Sequence, residues 1–122
     1  MVNYKRWHLI GLELPYSVAS VGIRGEATGP ATEFRADVVA VAKRDLSAGE
    51  LLDGEGGYTV SGGLRPAMLS VRNGYVPLGL AHQVKLIRSV LKDQAVTWDY
   101  IEIDPTTSAY RLRKEVEAGV AQ

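Results

Sequence analysis

The sequence predicts a mainly β fold with a helix on each side, and three observations support this fold class. The chain has 122 residues, the length of one ordinary domain. Near the N-terminus, apolar residues recur every three to four positions, whereas short strand-like runs separated by glycine-rich turns follow from Ala36 onward. A charged, helix-like segment follows Asp104. Because 46% of the residues are hydrophobic and 23% are charged, we expect most of the chain to fold.

Residues 7–24 are predicted to form the first helix. Their apolar side chains occupy one face and cover much of the remaining surface, and such a helix is normally enclosed on several sides. We therefore expect residues 1–35 to pack on a partner or on another domain. Pro15 should kink this helix or start a second helix at about Tyr16, and Gly25 should end the helical segment. With Glu13 and Pro15 inside the apolar run, the segment suits neither a signal peptide nor a membrane span.

The middle of the chain is predicted to consist of short strands. Strand-like runs lie at 36–46, 84–90 and 95–103. The glycine-rich residues 53–63 are interpreted as tight turns around a short strand at 58–60, and residues 64–82 as a loop-rich stretch. At the C-terminus, Asp104 is expected to cap a helix whose first residue is Pro105. That helix is mostly charged, so it should lie on the surface or against a partner.

An internal repeat is predicted between residues 41–53 and 86–98. Both segments have an apolar start, a basic residue, a leucine, a turn and an apolar pair. A constant offset of 45 residues aligns Leu46 with Leu91 and Gly49 with Gln94. We expect two pseudo-symmetric halves, with both leucines buried and a positive φ at Gly49.

The net charge and the lack of cysteine exclude several functions. There are 14 basic and 14 acidic residues, so the formal net charge is zero, and neither nucleic-acid binding nor membrane adsorption is expected. The sequence contains no cysteine, which excludes disulfides, thiolate catalysis and cysteine zinc sites. We expect a cytoplasmic protein.

Two long runs resemble the SAF domain, which is named after sialic acid synthases, antifreeze proteins and flagellar chaperones. They are VVAVAKRDLSAGELLDGEGGYTVSGGLRPA (38–67) and VPLGLAHQVKLIRSVLKDQAVTWDYIEID (76–104). Among SAF domains, the two runs resemble those at the C-terminus of homoserine-dehydrogenase-like oxidoreductases. That family includes enzymes similar to 1-deoxy-D-xylulose 5-phosphate reductoisomerase. Residues 4–29 also resemble the stretch that precedes SAF there. The resemblance implies a β-clip-like SAF domain at 36–104, between the helical segment 1–35 and a C-terminal helix at 105–122.

The resemblance also implies what the chain does. Members of that family have an N-terminal dinucleotide-binding domain and a central catalytic domain, and this sequence contains neither. Gly54, Gly56 and Gly57 follow a turn, not the strand of a dinucleotide-binding unit. The expected function is an accessory domain of an NAD(P)-dependent oxidoreductase, serving interdomain or oligomer packing and cover over the active site. The expected partners are the missing domains and further copies of the chain, while NAD(P) belongs to the parent enzyme and no cofactor to this chain. The alternative is a free-standing module that binds a sugar or a sugar acid.

Two sets of polar residues are candidate substrate-binding sites. Tyr4, Lys5, Arg6 and His8 form a cluster that could bind phosphate or carboxylate, and the resemblance implies a place near the substrate pocket. The simpler interpretation is a solvated helix start. His82 is either a ligand or acid–base group at the SAF pocket, or a structural histidine bonded to a loop carbonyl; the latter is favoured, and no metal site is expected.

Carboxylates and glycines give weaker signals. Two carboxylates could share acid and base roles if the fold brought them together, although surface positions are the default. The carboxylates considered are Asp53, Glu55, Asp99, Glu102 and Asp104. The glycine-rich residues 54–63 could surround an anion with N–H groups, but tight β-turns are the favoured interpretation. No catalytic residue is predicted.

Overall fold

The structure is a computed structural model that describes residue 7, residues 9–29 and residues 32–120. It divides the chain into two compact units, Met1–Glu33 and Phe34–Gln122. The protein is a small α/β protein, with about 36% helix and 27% strand. The expectation of a mainly β chain is therefore only partly correct, since helix exceeds strand. No helix in the described ranges is long and apolar enough to cross a membrane.

The first unit contains one helical segment, as predicted. Helix α1 spans Ile10–Ala19 and continues into a π-helical stretch at Ser20–Arg24. The segment ends at Gly25, which adopts the left-handed conformation (φ +65°) that glycine tolerates best. Pro15 lies inside α1, and the chain is helical on both sides of it.

The second unit contains five strands and two helices among the residues described. Strands β1 and β3 form one antiparallel sheet, and β2, β4 and β5 form another in the order β2–β4–β5. The elements are β1 (Ala36–Ala42), β2 (Leu51–Asp53), β3 (Val60–Pro66), α2 (Ala67–Asn73), β4 (His82–Leu86), β5 (Ile101–Glu102) and α3 (Ser108–Val120). The C-terminal helix, predicted as a separate segment, lies within this unit.

The interpretation of residues 64–82 as a loop is wrong, because they hold the end of β3 and the whole of α2. Gly62 and Gly63 belong to the predicted tight turns, yet in the structure they lie inside β3. A Cβ atom at either position would come within 2.7 Å of a valine methyl group on β1, so close strand packing requires glycine here. Helix α2 has only seven residues, which is too short to show a helical period.

The C-terminal helix begins later than predicted. The Asp104 carboxylate accepts hydrogen bonds from the backbone N–H and the hydroxyl of Thr106 (2.8 and 2.7 Å), which closes a turn before the helix. The Thr107 hydroxyl then accepts from the Tyr110 N–H (3.4 Å), and α3 starts at Ser108. Asp104 therefore caps a turn, and Thr107 occupies the helix cap position.

Reciprocal backbone hydrogen bonds relate the two halves of the second unit by an approximate two-fold axis. The Leu46 N–H donates to the Val90 carbonyl (2.8 Å), and the Val90 N–H donates to the Leu46 carbonyl (2.9 Å). These residues are 44 positions apart, and the flanking bonds obey the same offset. The Ala42 N–H donates to the Gln94 carbonyl, and the equivalent bond in the other half runs from the Leu86 N–H to the Glu50 carbonyl. In the same way, the bond from the Asp93 N–H to the Ala42 carbonyl is equivalent to the bond from the Gly49 N–H to the Leu86 carbonyl.

The turns of the two halves also match at this offset. The side-chain oxygens of Glu50 and Gln94 each accept from the backbone N–H three residues earlier, at 2.7 and 3.3 Å. Gly49 has φ +93° and Asp93 has φ +66°, so each turn needs a left-handed residue at the same place. Aspartate tolerates this conformation better than most residues other than glycine and asparagine.

An approximate two-fold relation is therefore present, but the predicted repeat, with an offset of 45 residues and both leucines buried, is wrong. Val90 is buried and is the counterpart of Leu46, whereas Leu91 is 59% exposed. Likewise Asp93, and not Gln94, matches Gly49. Residue similarity pairs leucine with leucine, whereas backbone pairing selects the residue that faces inward, which is Val90.

Both halves contribute to one hydrophobic core. The first half and the second half supply buried aliphatic side chains in nearly equal number, and aromatic rings lie at its border. The buried members are Ala40, Ala42, Leu46, Leu52, Val60, Val76, Ala81, Leu86, Val90, Val96 and Ile101.

Helix α3 is held on this unit by a largely buried ion pair. Arg113 donates two hydrogen bonds to the two oxygens of Asp37 on β1 (3.1 and 2.6 Å), and it also donates to Glu117 (2.7 Å). Ser70 on α2 donates to the same Asp37 carboxylate. A bidentate, largely buried pair of this kind fixes an orientation, and losing one partner would leave a buried charge.

We predict that Leu46→Ala lowers the free energy of unfolding by about 2–5 kcal/mol, since it removes a buried leucine at the axis. Leu91→Ala is the matched control and should change it by less than about 0.5 kcal/mol, because Leu91 is exposed. Urea unfolding of both variants measures the difference. A large loss for Leu91→Ala, or none for Leu46→Ala, would contradict the 44-residue relation.

Candidate functional site

A cavity of about 440 Å³ in the second unit lies beside β4 and β5 and combines polar and apolar groups. Its walls come from the 3₁₀ turn before β4, from β4 itself, and from the segment between β5 and α3. The lining residues are Gly79, Leu80, His82, Gln83, Val84, Glu102, Ile103, Asp104, Thr107 and Ala109. The cavity therefore brings together one imidazole, two carboxylates, one amide and one hydroxyl over aliphatic side chains.

His82 is fixed on the wall of this cavity by a backbone contact. Its Nδ1 atom lies 3.0 Å from the Asp53 carbonyl oxygen at the end of β2. A carbonyl can only accept, so Nδ1 carries the hydrogen and the neutral ring keeps Nε2 as an acceptor. The expected contact with a backbone carbonyl is confirmed. His82 nevertheless lines a cavity, so the structural contact does not remove it from the candidate site.

The backbone around His82 is constrained on both sides. The pairing of β2 with β4 is irregular between Leu52 and Asp53, which sets Asp53 opposite His82. A Cβ atom at Gly54 would lie 3.0 Å from the His82 side chain, so glycine permits this close approach. Gln83 has φ +56°, a conformation that costs energy for a residue with a side chain.

Asp53 organises the glycine-rich segment next to His82. Its carboxylate accepts hydrogen bonds from the Thr59 hydroxyl and from the N–H groups of Tyr58 (2.5 Å) and Thr59 (3.0 Å). The Thr59 hydroxyl, followed by the Tyr58 N–H, lowers the pKa of Asp53 to about 2. The segment thus uses these N–H groups on its own carboxylate, in agreement with the interpretation as tight turns.

The five candidate carboxylates do not form an acid–base pair with each other through any described hydrogen bond. Asp53 binds its own loop, and Asp99 pairs with Arg88 (3.1 Å). Only Glu102 and Asp104 line the cavity together. The Thr106 hydroxyl and then its N–H hold the pKa of Asp104 below its usual range, so this group stays ionised.

Metal binding and hydroxyl activation find no support in the described ranges. No cluster of three or more histidine and carboxylate side chains there could hold a metal ion. His82 makes no described hydrogen bond to a hydroxyl group that it could activate. What the cavity offers is several hydrogen-bond acceptors together with aliphatic side chains, which suits binding of a ligand that donates hydrogen bonds.

The second predicted cluster, formed by Tyr4, Lys5, Arg6 and His8, lies outside the described residues. Of the residues that line this cavity, the sequence indicates His82 as a substrate-binding candidate and places Glu102 and Asp104 at the surface by default. It does not indicate Gln83 or Thr107 as cavity residues. The signal in the sequence that could have located Thr107 is its residue type, because threonine is a preferred helix N-cap residue. The positive φ of Gln83 has no sequence signal, since glutamine rarely adopts it.

No family model matches the chain, and no curated protein resembles it significantly.

We predict that acid destabilises the second unit partly through Asp53. Because its pKa is lower in the folded chain than in the unfolded one, Asp53 stabilises the fold above about pH 4, and this contribution is lost as the pH falls towards 2. Asp53→Asn should therefore be less stable than wild type at pH 7 and should lose less stability between pH 4 and pH 2. Glu55→Gln, in the same loop, is the control. Urea unfolding measures the free energy of unfolding at each pH. An equal loss of stability between pH 4 and pH 2 in wild type and Asp53→Asn would contradict this role of Asp53.

Proposed function

We propose that the chain is an accessory, SAF-type domain of an NAD(P)-dependent oxidoreductase, in which the first unit packs on the catalytic part of the enzyme. The observation that carries this proposal is helix α1, in which no side chain is buried. Ile10 is 75% exposed and Ile23 is 84% exposed, and the other large apolar side chains of the segment are exposed as well.

A short helix of this kind has little stability alone. Isolated helices of about 12–15 residues are marginal in water, and most helical stability in proteins comes from packing of an apolar face. An exposed apolar surface of this extent is typical of an interaction site. The resemblance to homoserine-dehydrogenase-like oxidoreductases supplies the partner, because there the corresponding segment joins the catalytic domain to the SAF domain.

The second unit supports the same proposal. Its two halves, related through Leu46 and Val90, agree with the β-clip expected of an SAF domain. In this proposal NAD(P) is bound by the catalytic part, and the second unit contributes packing and cover over the active site. The chain itself carries out no reaction.

We predict that the exposed apolar side chains of α1 make the isolated chain self-associate. Replacing Ile10 and Val18 together by Asp should lower its average mass in sedimentation and its binding of a hydrophobic dye, because charge disfavours burial of that surface. The double variant Ala27→Asp and Thr28→Asp adds the same charge to the loop that follows and is the control.

The core of the second unit should remain folded in all variants, as judged by urea unfolding. An unchanged mass for the α1 variant, with unchanged dye binding, would contradict the packing role. Micromolar binding of NADPH by the chain alone, measured by calorimetry, would contradict the accessory role.

A second candidate function is binding of a sugar, and the cavity at His82 favours it. Carboxylates and the imidazole Nε2 accept hydrogen bonds from hydroxyl groups, while Leu80, Val84 and Ile103 supply apolar surface for a sugar ring. Glu102 and Asp104 would repel a carboxylate ligand. The geometry therefore favours a neutral sugar over a sugar acid.

We predict that millimolar D-glucose or D-xylose shifts the NMR signals of the His82 ring and the Gly79 amide, and that gluconate does so more weakly. Glu102→Gln should weaken the effect because it removes the charged acceptor, whereas Glu115→Gln on the exposed side of α3 should not. Signals unaffected by tens of millimolar sugar, or affected equally in Glu102→Gln, would exclude this second function.

A further inference from the structure

Strand β3 has one edge without a partner among the described residues. It pairs with β1 alone, with Val39 opposite Gly63 and Asp37 opposite Arg65. The other edge of β1 is already occupied, because Ala40 bonds to Val76 and Val96. The sheet can therefore grow only beyond β3.

The hydrogen-bond alternation identifies which groups face that open edge. In an antiparallel ladder, alternate residues direct both backbone groups to the same neighbour. Ala67 donates to the Arg35 carbonyl and Lys43 donates to the Thr59 carbonyl, so the odd-numbered residues of β3 face β1. Gly62 and Leu64 therefore direct their N–H and C=O groups outward. The Leu64 carbonyl accepts there an exposed side-chain hydrogen bond from Arg65 (2.9 Å), which a neighbouring strand can replace. Both residues are exposed, and Leu64 is 69% exposed.

This edge is complementary to itself. If two β3 strands lie antiparallel with Gly63 on a two-fold axis, Gly62 of each strand pairs with Leu64 of the other, and the two pairs form four backbone hydrogen bonds. Leu64 of one strand then lies opposite Gly62 of the other strand, which has no side chain. Arg65, the one charged residue of β3, lies opposite Ser61, so no like charges meet.

We infer that β3 pairs with β3 of a second copy of the chain, which joins the two β1–β3 sheets into one four-stranded antiparallel sheet. Other features of the strand limit the contact to this short stretch. Pro66 lacks an N–H, which ends the ladder, and the buried Val60 lies at the other end. The inference uses only the second unit and does not rest on the accessory role proposed for the first.

Cysteine cross-linking tests the register, because the chain contains no cysteine of its own. In the inferred pairing Ser61 lies opposite Arg65 of the other copy as a non-hydrogen-bonded pair, with Cα atoms about 4.5 Å apart, within disulfide range. Two Ser61 residues would be about 13 Å apart, too far for a disulfide. Mixing Ser61→Cys with Arg65→Cys under mild oxidation should give the mixed disulfide dimer, and each variant alone should give little dimer.

The cross-linking is done with Ile10→Asp and Val18→Asp present, so that association through α1 does not contribute. In that background Leu64→Lys should weaken the dimer roughly tenfold in sedimentation, which corresponds to about 1.4 kcal/mol, because a lysine on the edge disfavours strand pairing. Leu91→Lys changes another exposed leucine and should have no effect. A monomeric chain at high concentration would overturn the inference. So would equal cross-linking of each variant with itself, or equal effects of the two lysine variants.

Discussion

The second unit depends on the reciprocal hydrogen bonds between Leu46 and Val90. Each residue donates to and accepts from the other, and both side chains are buried in the same core. Because an unpaired buried backbone group is costly, neither half can form its inner edge without the other. This mutual requirement explains why a unit with strands as short as Leu51–Asp53 and Ile101–Glu102 can have one continuous core.

The same constraint positions the candidate site. Pairing across the axis fixes β4 between β2 and β5, so that His82 meets the Asp53 carbonyl on one side and the cavity on the other. The Arg113–Asp37 ion pair then fixes α3. Ala109 in the first turn of α3 and Thr107 just before it complete the cavity wall. The acceptor-rich cavity thus belongs to the second unit and the exposed apolar helix to the first, so the two proposed functions concern different units.

Much of this fold could be predicted from the sequence, and the failures have physical causes. The change from helical to strand period located α1, β1 and the turn at Gly49, because these depend on local patterns. Helix α2 and the glycines of β3 were missed because they depend on packing between distant segments. The repeat was predicted at the wrong offset, since only backbone pairing decides between Val90 and Leu91. Gln83 could not be predicted, as its strained backbone is imposed by the strand pairing around it.

Native-state hydrogen exchange tests most directly whether the two halves form one cooperative core. The amides of Ala42, Leu46, Leu86 and Val90 all donate across the axis. We expect the four to exchange with one common free energy, equal to that of global unfolding, and with the same dependence on denaturant. Exchange of Leu86 and Val90 at a clearly lower free energy than Ala42 and Leu46, or the reverse, would contradict the mutual dependence of the two halves.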